Sequence, residues 1–144
     1  MYKNAPPASR GCGATRSRKC ARAFPGRLEQ VGAARAFVAA FLDDSPVAED
    51  AVLLTSELCA NAVQYSASGN ADGTFIVRAE LFDGDYVWVE VEDQGSTWDG
   101  NLETVEWPHG LYLLRQLAAD CGADNGADSG QPGRVIWFTV GFGL

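Results

Sequence analysis

Apolar residues recur at helical spacing at Leu28, Val31, Phe37, Val38, Phe41 and Leu42, which predicts an amphipathic helix to about Asp43. Ser45-Pro46 then supplies a capping hydroxyl and a proline whose missing N–H costs nothing at a first helical position. A second helix is expected from there to about Tyr65. Val47, Ala51, Leu54 and Leu58 form its core stripe, and Glu57, Asn61 and Tyr65 form a polar stripe beside it. After a polar loop over residues 66–73, residues 75–82 and 86–92 read as strands joined by Asp83-Gly84-Asp85, a hairpin signal. Val87, Val89 and Val91 point one way while Trp88, Glu90 and Glu92 point the other, so one face packs on helices and one meets solvent or an edge. Residues 94–108 lack periodicity and form a loop long enough to act as a lid. A third helix is expected over residues 109–121, with Leu113, Leu114 and Leu117 as its apolar side. A turn-rich connection over 122–133 then leads to a last strand with Val135, Trp137, Thr139 and Phe142. These elements predict an α+β fold, a two-layer α/β sandwich with helices on one face of a mixed, mostly antiparallel sheet.

The chain has 144 residues, 47% hydrophobic and 21% charged, which is enough for one domain with its own core. No apolar run is long enough to cross a bilayer and the N-terminus lacks a secretory h-region, so a cytoplasmic location without membrane contact is the default expectation. The four cysteines, at 12, 20, 59 and 121, have no metal or redox spacing and read as reduced thiols, with a Cys12–Cys20 bridge as the alternative. Net charge is −8, but seven of the eleven basic residues lie in the first 27 positions, which hold no acid. The remainder carries four basic and nineteen acidic side chains, a surface that repels nucleic acid, so no direct DNA binding is expected. Residues 1–22, rich in Pro, Gly, Ser, Ala and basic side chains, read as a flexible basic arm whose removal leaves the domain 23–144 intact.

Three short segments carry candidate chemistry. Glu57 and Asn61, four apart on one helix, project from the same face. Asparagine offers a neutral oxygen suited to magnesium, and a carboxylate one turn away can orient or deprotonate a nucleophile. Asp93 ends a strand and precedes Gly95; a carboxylate there can accept from an exocyclic amine such as adenine N6, and glycine lets the backbone approach a flat ring. His109-Gly110-Leu111 opens a helix whose free N–H groups favour phosphate, with the histidine adding a charged contact. Taken singly, each segment also reads as a solvated helix stripe, a strand-ending turn or a helix cap. Thr55 and Ser56 read as helix-surface residues, and Trp98 and Trp107 as either partner contacts or packing of the lid.

The stretch from Glu57-Leu-Cys-Ala-Asn61 to Ser66 resembles the N box of the Bergerat-type (GHKL) ATPases. Val91-Glu-Asp93-Gln-Gly95 resembles their first glycine box, His109-Gly110-Leu111 their second, and Gly133 to Phe138 the closing strand of the anti-sigma-factor serine/threonine kinase branch. The resemblance spans roughly residues 24–144, and no histidine-bearing helices precede the domain, which points away from a complete sensor histidine kinase. The resemblance implies the Bergerat ATP-binding fold, ATP and Mg2+ as cofactors, Glu57 as general base and Asn61 as magnesium ligand. It also implies Asp93 as adenine anchor with Gly95 beside the ring, and His109, Gly110 and Leu111 at the phosphates. Pro108 stands where the second box usually begins with glycine, Tyr65 replaces a frequent histidine, and Val135 a frequent threonine. The implied partners are a sigma factor or an anti-sigma-factor antagonist, with a homodimer as the family's habit. Two other functions remain open at this point: a nucleotide-gated protein-binding module without kinase activity, and a structural α+β protein that binds no nucleotide.

Overall fold

A computed structural model describes residues 16–95, 110–125 and 133–141. Strand β1 (Ser17–Pro25) leads through a 3-10 turn (Leu28–Gln30) into helix α1 (Val31–Leu42). Helix α2 (Ala48–Tyr65) and a second 3-10 turn (Ala67–Gly69) precede the hairpin β2 (Thr74–Phe82) and β3 (Tyr86–Asp93). Helix α3 (Gly110–Leu117), β4 (Asp120–Asn125) and β5 (Arg134–Gly141) follow. The sheet order is β1-β2-β3-β5-β4, and every described pairing is antiparallel, so the mixed sheet expected from the pattern is fully antiparallel among the described residues.

Helix α2 begins at Ala48, two residues after the Pro46 start that the signal predicts, because the Ser45-Pro46 segment forms a turn first: the Ala48 N–H donates to the Ser45 carbonyl at 3.0 Å, and the Val47 N–H approaches Ser45 Oγ at 3.4 Å. Its expected core stripe, Val47, Ala51, Leu54 and Leu58, is buried throughout. Those residues join Val38 and Leu42 of α1 and Leu114 of α3 over the inward valines of β3 and Phe75, Ile136 and Phe138 of the neighbouring strands. Thr55 is not on the surface, as expected, but fully buried, because its hydroxyl donates to the Ala51 carbonyl at 2.7 Å and so carries no unpaired polar group into the core. Cys20, Cys59 and Cys121 are free thiols. Burial pushes each above its ordinary value, which makes them packing groups rather than nucleophiles.

The alternation in β3 holds, yet its second face is not left to solvent. Trp88 and Glu90 are each 4% exposed. The Trp88 ring stacks on Trp137 with centroids 4.3 Å apart and planes 9° apart, and its indole N–H donates to Glu90 Oε1 at 3.0 Å. Arg78 bridges Glu90 and Glu92 at 3.2 and 2.8 Å. Aromatic stacking and charge pairing thus finish a face that no described helix covers.

Two strands depart from the sequence expectation. Residues 17–22 are not part of an arm but most of β1, paired in register from Ser17 opposite Phe82 to Pro25 opposite Thr74. The strand was hidden because two of its helix-side positions, Arg18 and Arg22, are cations instead of hydrophobes. The Arg18 guanidinium lies 5.3 Å from the Phe41 ring and that of Arg22 5.1 Å from the Phe24 ring, so each covers an aromatic face and keeps its charge at the edge. Residues 1–15 of the expected arm lie outside the described residues. Deleting residues 1–22 is therefore expected to strip two-thirds of an edge strand and destabilise the domain by more than about 1 kcal/mol, lowering its melting temperature by several degrees; an unchanged melting curve would show that β1 contributes nothing.

The third helix also ends early, at Leu117, rather than running to Cys121. The Ala119 N–H already donates to the Thr139 carbonyl at 2.8 Å, and β4 then occupies 120–125, residues expected to be helix end and turn. Its inward positions are only Cys121 and Ala123, too small to write an alternation into the sequence.

Candidate functional site

Helix α2 packs on β3 and carries Glu57 and Asn61 one turn apart. Glu57 is half-buried, whereas Asn61 is 4% exposed and its Nδ2 has no hydrogen-bond partner among the described residues. Leaving a buried amide unpaired costs about 1–3 kcal/mol, so this side chain is suited to a ligand that brings its own polar atoms. A half-turn of the amide exchanges oxygen and nitrogen, which lets the same position offer an oxygen to a hard cation. Among the described residues no group of three or more His, Cys, Asp or Glu side chains could hold a metal ion. A magnesium ion at Asn61 would suit that ion's preference for few protein ligands, with water and phosphate supplying the rest.

A chain of short bonds draws the end of α2 to the end of β3. The Ser66 hydroxyl donates to the Ala62 carbonyl at 2.6 Å and accepts from the Ser68 N–H at 3.0 Å. Ser68 is fully buried, and its hydroxyl oxygen accepts from the Gln94 N–H at 2.9 Å. The Ala67 N–H donates to the Gly95 carbonyl at 2.8 Å, and Gln94 Oε1 accepts from the Thr74 N–H at 3.1 Å. Serine at 68 thus does what apolar packing cannot: it satisfies a backbone N–H at the turn that follows Asp93. Ser68→Ala is expected to lower stability by about 1–2 kcal/mol, seen as a lower urea midpoint at unchanged slope. An unchanged midpoint would mean that water replaces the hydroxyl without loss.

Asp93 closes β3 and is 4% exposed. Its Oδ1 accepts from the Gly95 N–H at 2.7 Å. Its Oδ2 accepts from Arg134 at 2.6 Å from Nη2 and 3.1 Å from Nε. Arg134 opens β5 as the register partner of Asp93, and both side chains are 3% exposed. Burial pushes the Asp93 carboxyl above its ordinary value of 3.8; the Arg134 charge and hydrogen bonds and the Gly95 N–H pull it back only in part. Two glycines make this turn possible. Gly95 has φ of 92°, a region that side-chain-bearing residues avoid. A Cβ at Gly133 would stand 2.9 Å from the Asp93 backbone carbonyl oxygen, so glycine lets the chain enter β5 this close to the end of β3.

Of the expected site residues, Glu57, Asn61, Asp93 and Gly95 fall on elements tied together at one end of the sandwich, where α2 and β3 finish. Gly110 opens α3 and Leu111 follows it, while His109 and residues 96–108 of the expected lid, with Trp98, Trp107 and Pro108, lie outside the described residues. Tyr65 ends α2 and is 42% exposed. Sequence reasoning gave no role to Ser66, Ser68 or Gln94 and left Arg134 as an ordinary strand residue. The available signal for Arg134 was its isolation, since it is one of only four basic residues after position 27 and opens an otherwise apolar strand.

A family model described as a histidine kinase-like ATPase domain matches residues 24–140. The chain is also similar to the Blue-light-activated histidine kinase 2 of Erythrobacter litoralis (strain HTCC2594), with 33% identity over 88 residues, 58% of this chain. The match takes in 25% of that longer protein.

Proposed function

Since this chain belongs to the histidine kinase-like ATPase domain family, we propose that it is an ATP-binding regulatory protein, a serine/threonine kinase of the anti-sigma-factor type that phosphorylates an anti-sigma-factor antagonist. The observation that carries the nucleotide reading is the buried Asn61 Nδ2, without a partner among the described residues, at the same end of the sandwich as the buried Asp93 carboxylate. One can hold Mg2+ and phosphate, and the other can accept from the adenine amine. Bound magnesium would neutralise phosphate charge. This chain's own residues would do the rest. Asp93 and Gly95 would seat the base, Asn61 would orient the phosphate end, and the backbone at the start of α3, with His109, Gly110 and Leu111, would line the phosphates. Glu57, half-buried one turn before Asn61, would accept the proton of the incoming serine hydroxyl.

A second reading is favoured by the departures from the family pattern at Pro108, Tyr65 and Val135, which bear on transfer more than on binding. Under that reading the protein is a nucleotide-gated binding module, in which ATP orders a partner surface without transfer. Calorimetry with ATP, with and without Mg2+, tests both, and absence of any heat would sink them together. Incubation with labelled ATP and a candidate antagonist then separates them. Label on a serine of the antagonist is the result expected of the kinase; tight binding with no label would leave the module. In the cell the implied partners are a sigma factor and its antagonist, and a homodimer is testable by sedimentation.

A further inference from the structure

The Asp93 carboxylate has about four lone-pair sites, and hydrogen bonds from Gly95 N, Arg134 Nη2 and Arg134 Nε engage three of them. Both Arg134 bonds fall on the same oxygen, Oδ2, and the pair is sealed at 3% exposure on each side. A carboxylate that faced a purine unaccompanied would attract an exocyclic amine and repel a keto oxygen, which is what makes such a group selective for adenine. A guanidinium fixed to that carboxylate changes the balance. It removes acceptor capacity from the amine and offsets the negative charge that would otherwise repel a keto oxygen.

We propose that Arg134 is a specificity-determining residue, whose ion pair with Asp93 weakens the reading of the purine amine and leaves the pocket tolerant of a 6-keto purine. The inference rests on Asp93 being the base-reading group. It does not need Arg134 to touch the nucleotide, since the residue acts through the carboxylate it holds. The short register partnership makes this a built feature: Asp93 and Arg134 are opposite each other across β3 and β5, and Gly133 clears the space for that approach. The pair also has a structural role, because Asp93 would otherwise be a buried charge without a counter-charge. For that reason the decisive readout is a ratio of affinities, which stability alone does not move.

The probes are ATP and inosine triphosphate, which differ at the 6-position by an amine against a keto oxygen. With Mg2+ present, calorimetry on the full chain is expected to show ATP favoured over inosine triphosphate by less than about tenfold, far short of a site built around an unshared hydrogen bond to the amine. Arg134→Gln keeps a donor for Asp93 but removes the charge, and is expected to widen the ratio by roughly tenfold or more, with ATP binding tighter. A ratio that stays the same or narrows overturns the proposal. If Arg134→Gln does not fold, Arg134→Lys keeps the charge but loses the two-donor fork. It is expected to widen the ratio by a smaller factor, and no widening there overturns the proposal equally. Asp93→Asn placed in the Arg134→Gln background separates the inference from the reading beneath it. Collapse of the widened ratio supports both. A widened ratio that survives Asp93→Asn overturns both, because the base is then read elsewhere. Loss of ATP binding on Asp93→Asn alone, combined with an unmoved ratio in Arg134→Gln, overturns the Arg134 proposal and leaves Asp93 as the base anchor.

Discussion

Asp93→Asn is expected to cost about 3–5 kcal/mol of folding stability, the usual penalty for breaking a buried ion pair from one side. The reason is what stays behind. Arg134 is 3% exposed, and its guanidinium would face a neutral amide in place of the carboxylate that accepts its Nη2 and Nε hydrogens. An amide at 93 can still accept one hydrogen bond, so the loss should fall toward the lower end of that range. The same change should weaken ATP binding by up to about tenfold in Kd, less than an unshared hydrogen bond to a charged acceptor would be worth, because Arg134 and Gly95 already draw on the carboxylate. Urea unfolding followed by calorimetry below the unfolding midpoint measures the two losses separately. A variant with the parent's midpoint and the parent's ATP affinity would remove Asp93 from both the core and the site.

Glu57→Gln has the opposite profile: binding kept, turnover lost. Its carboxylate sits one helical turn from Asn61 and is half-buried, with no part in the core cluster. The amide replacement conserves volume and polarity, so stability should change by less than about 0.5 kcal/mol, as for surface substitutions generally. General-base contributions of this kind are worth about 10²–10⁴ in rate. Transfer of label from ATP to an antagonist serine should fall by that factor while ATP affinity holds. Transfer at the parent rate would exclude Glu57 as the base, and loss of ATP affinity would place it in binding instead.

The two variants probe residues that were legible to different degrees. Glu57 and Asn61 could be placed on one helix face from spacing alone, because the 3.6-residue period of α2 is written in Val47, Ala51, Leu54 and Leu58, all of them buried. Asp93 could be placed at a strand end because the alternation of Val87, Val89 and Val91 stops there. What spacing could not reveal was the company Asp93 keeps. Its partner lies 41 residues away, and the two meet only because β5 inserts between β3 and β4. The serine relay from Ala62 to Gln94 escaped notice for the same reason: in sequence, Ser66 and Ser68 are ordinary loop polar residues.

Helices α1 and α2, the β2–β3 hairpin, the last strand and the polar stripe of Glu57 and Asn61 were all readable from local patterning. Each of these is a local pattern of period 3.6 or 2 long enough to outweigh its alternatives. The two edge strands, the buried stack of Trp88 on Trp137 and the Asp93–Arg134 pair emerge from long-range packing alone. An edge strand buries little and can place cations or small residues on its inner face, so its periodicity is weak. An ion pair across a sheet depends on strand order, and strand order is fixed by which faces bury together rather than by any short stretch of chain.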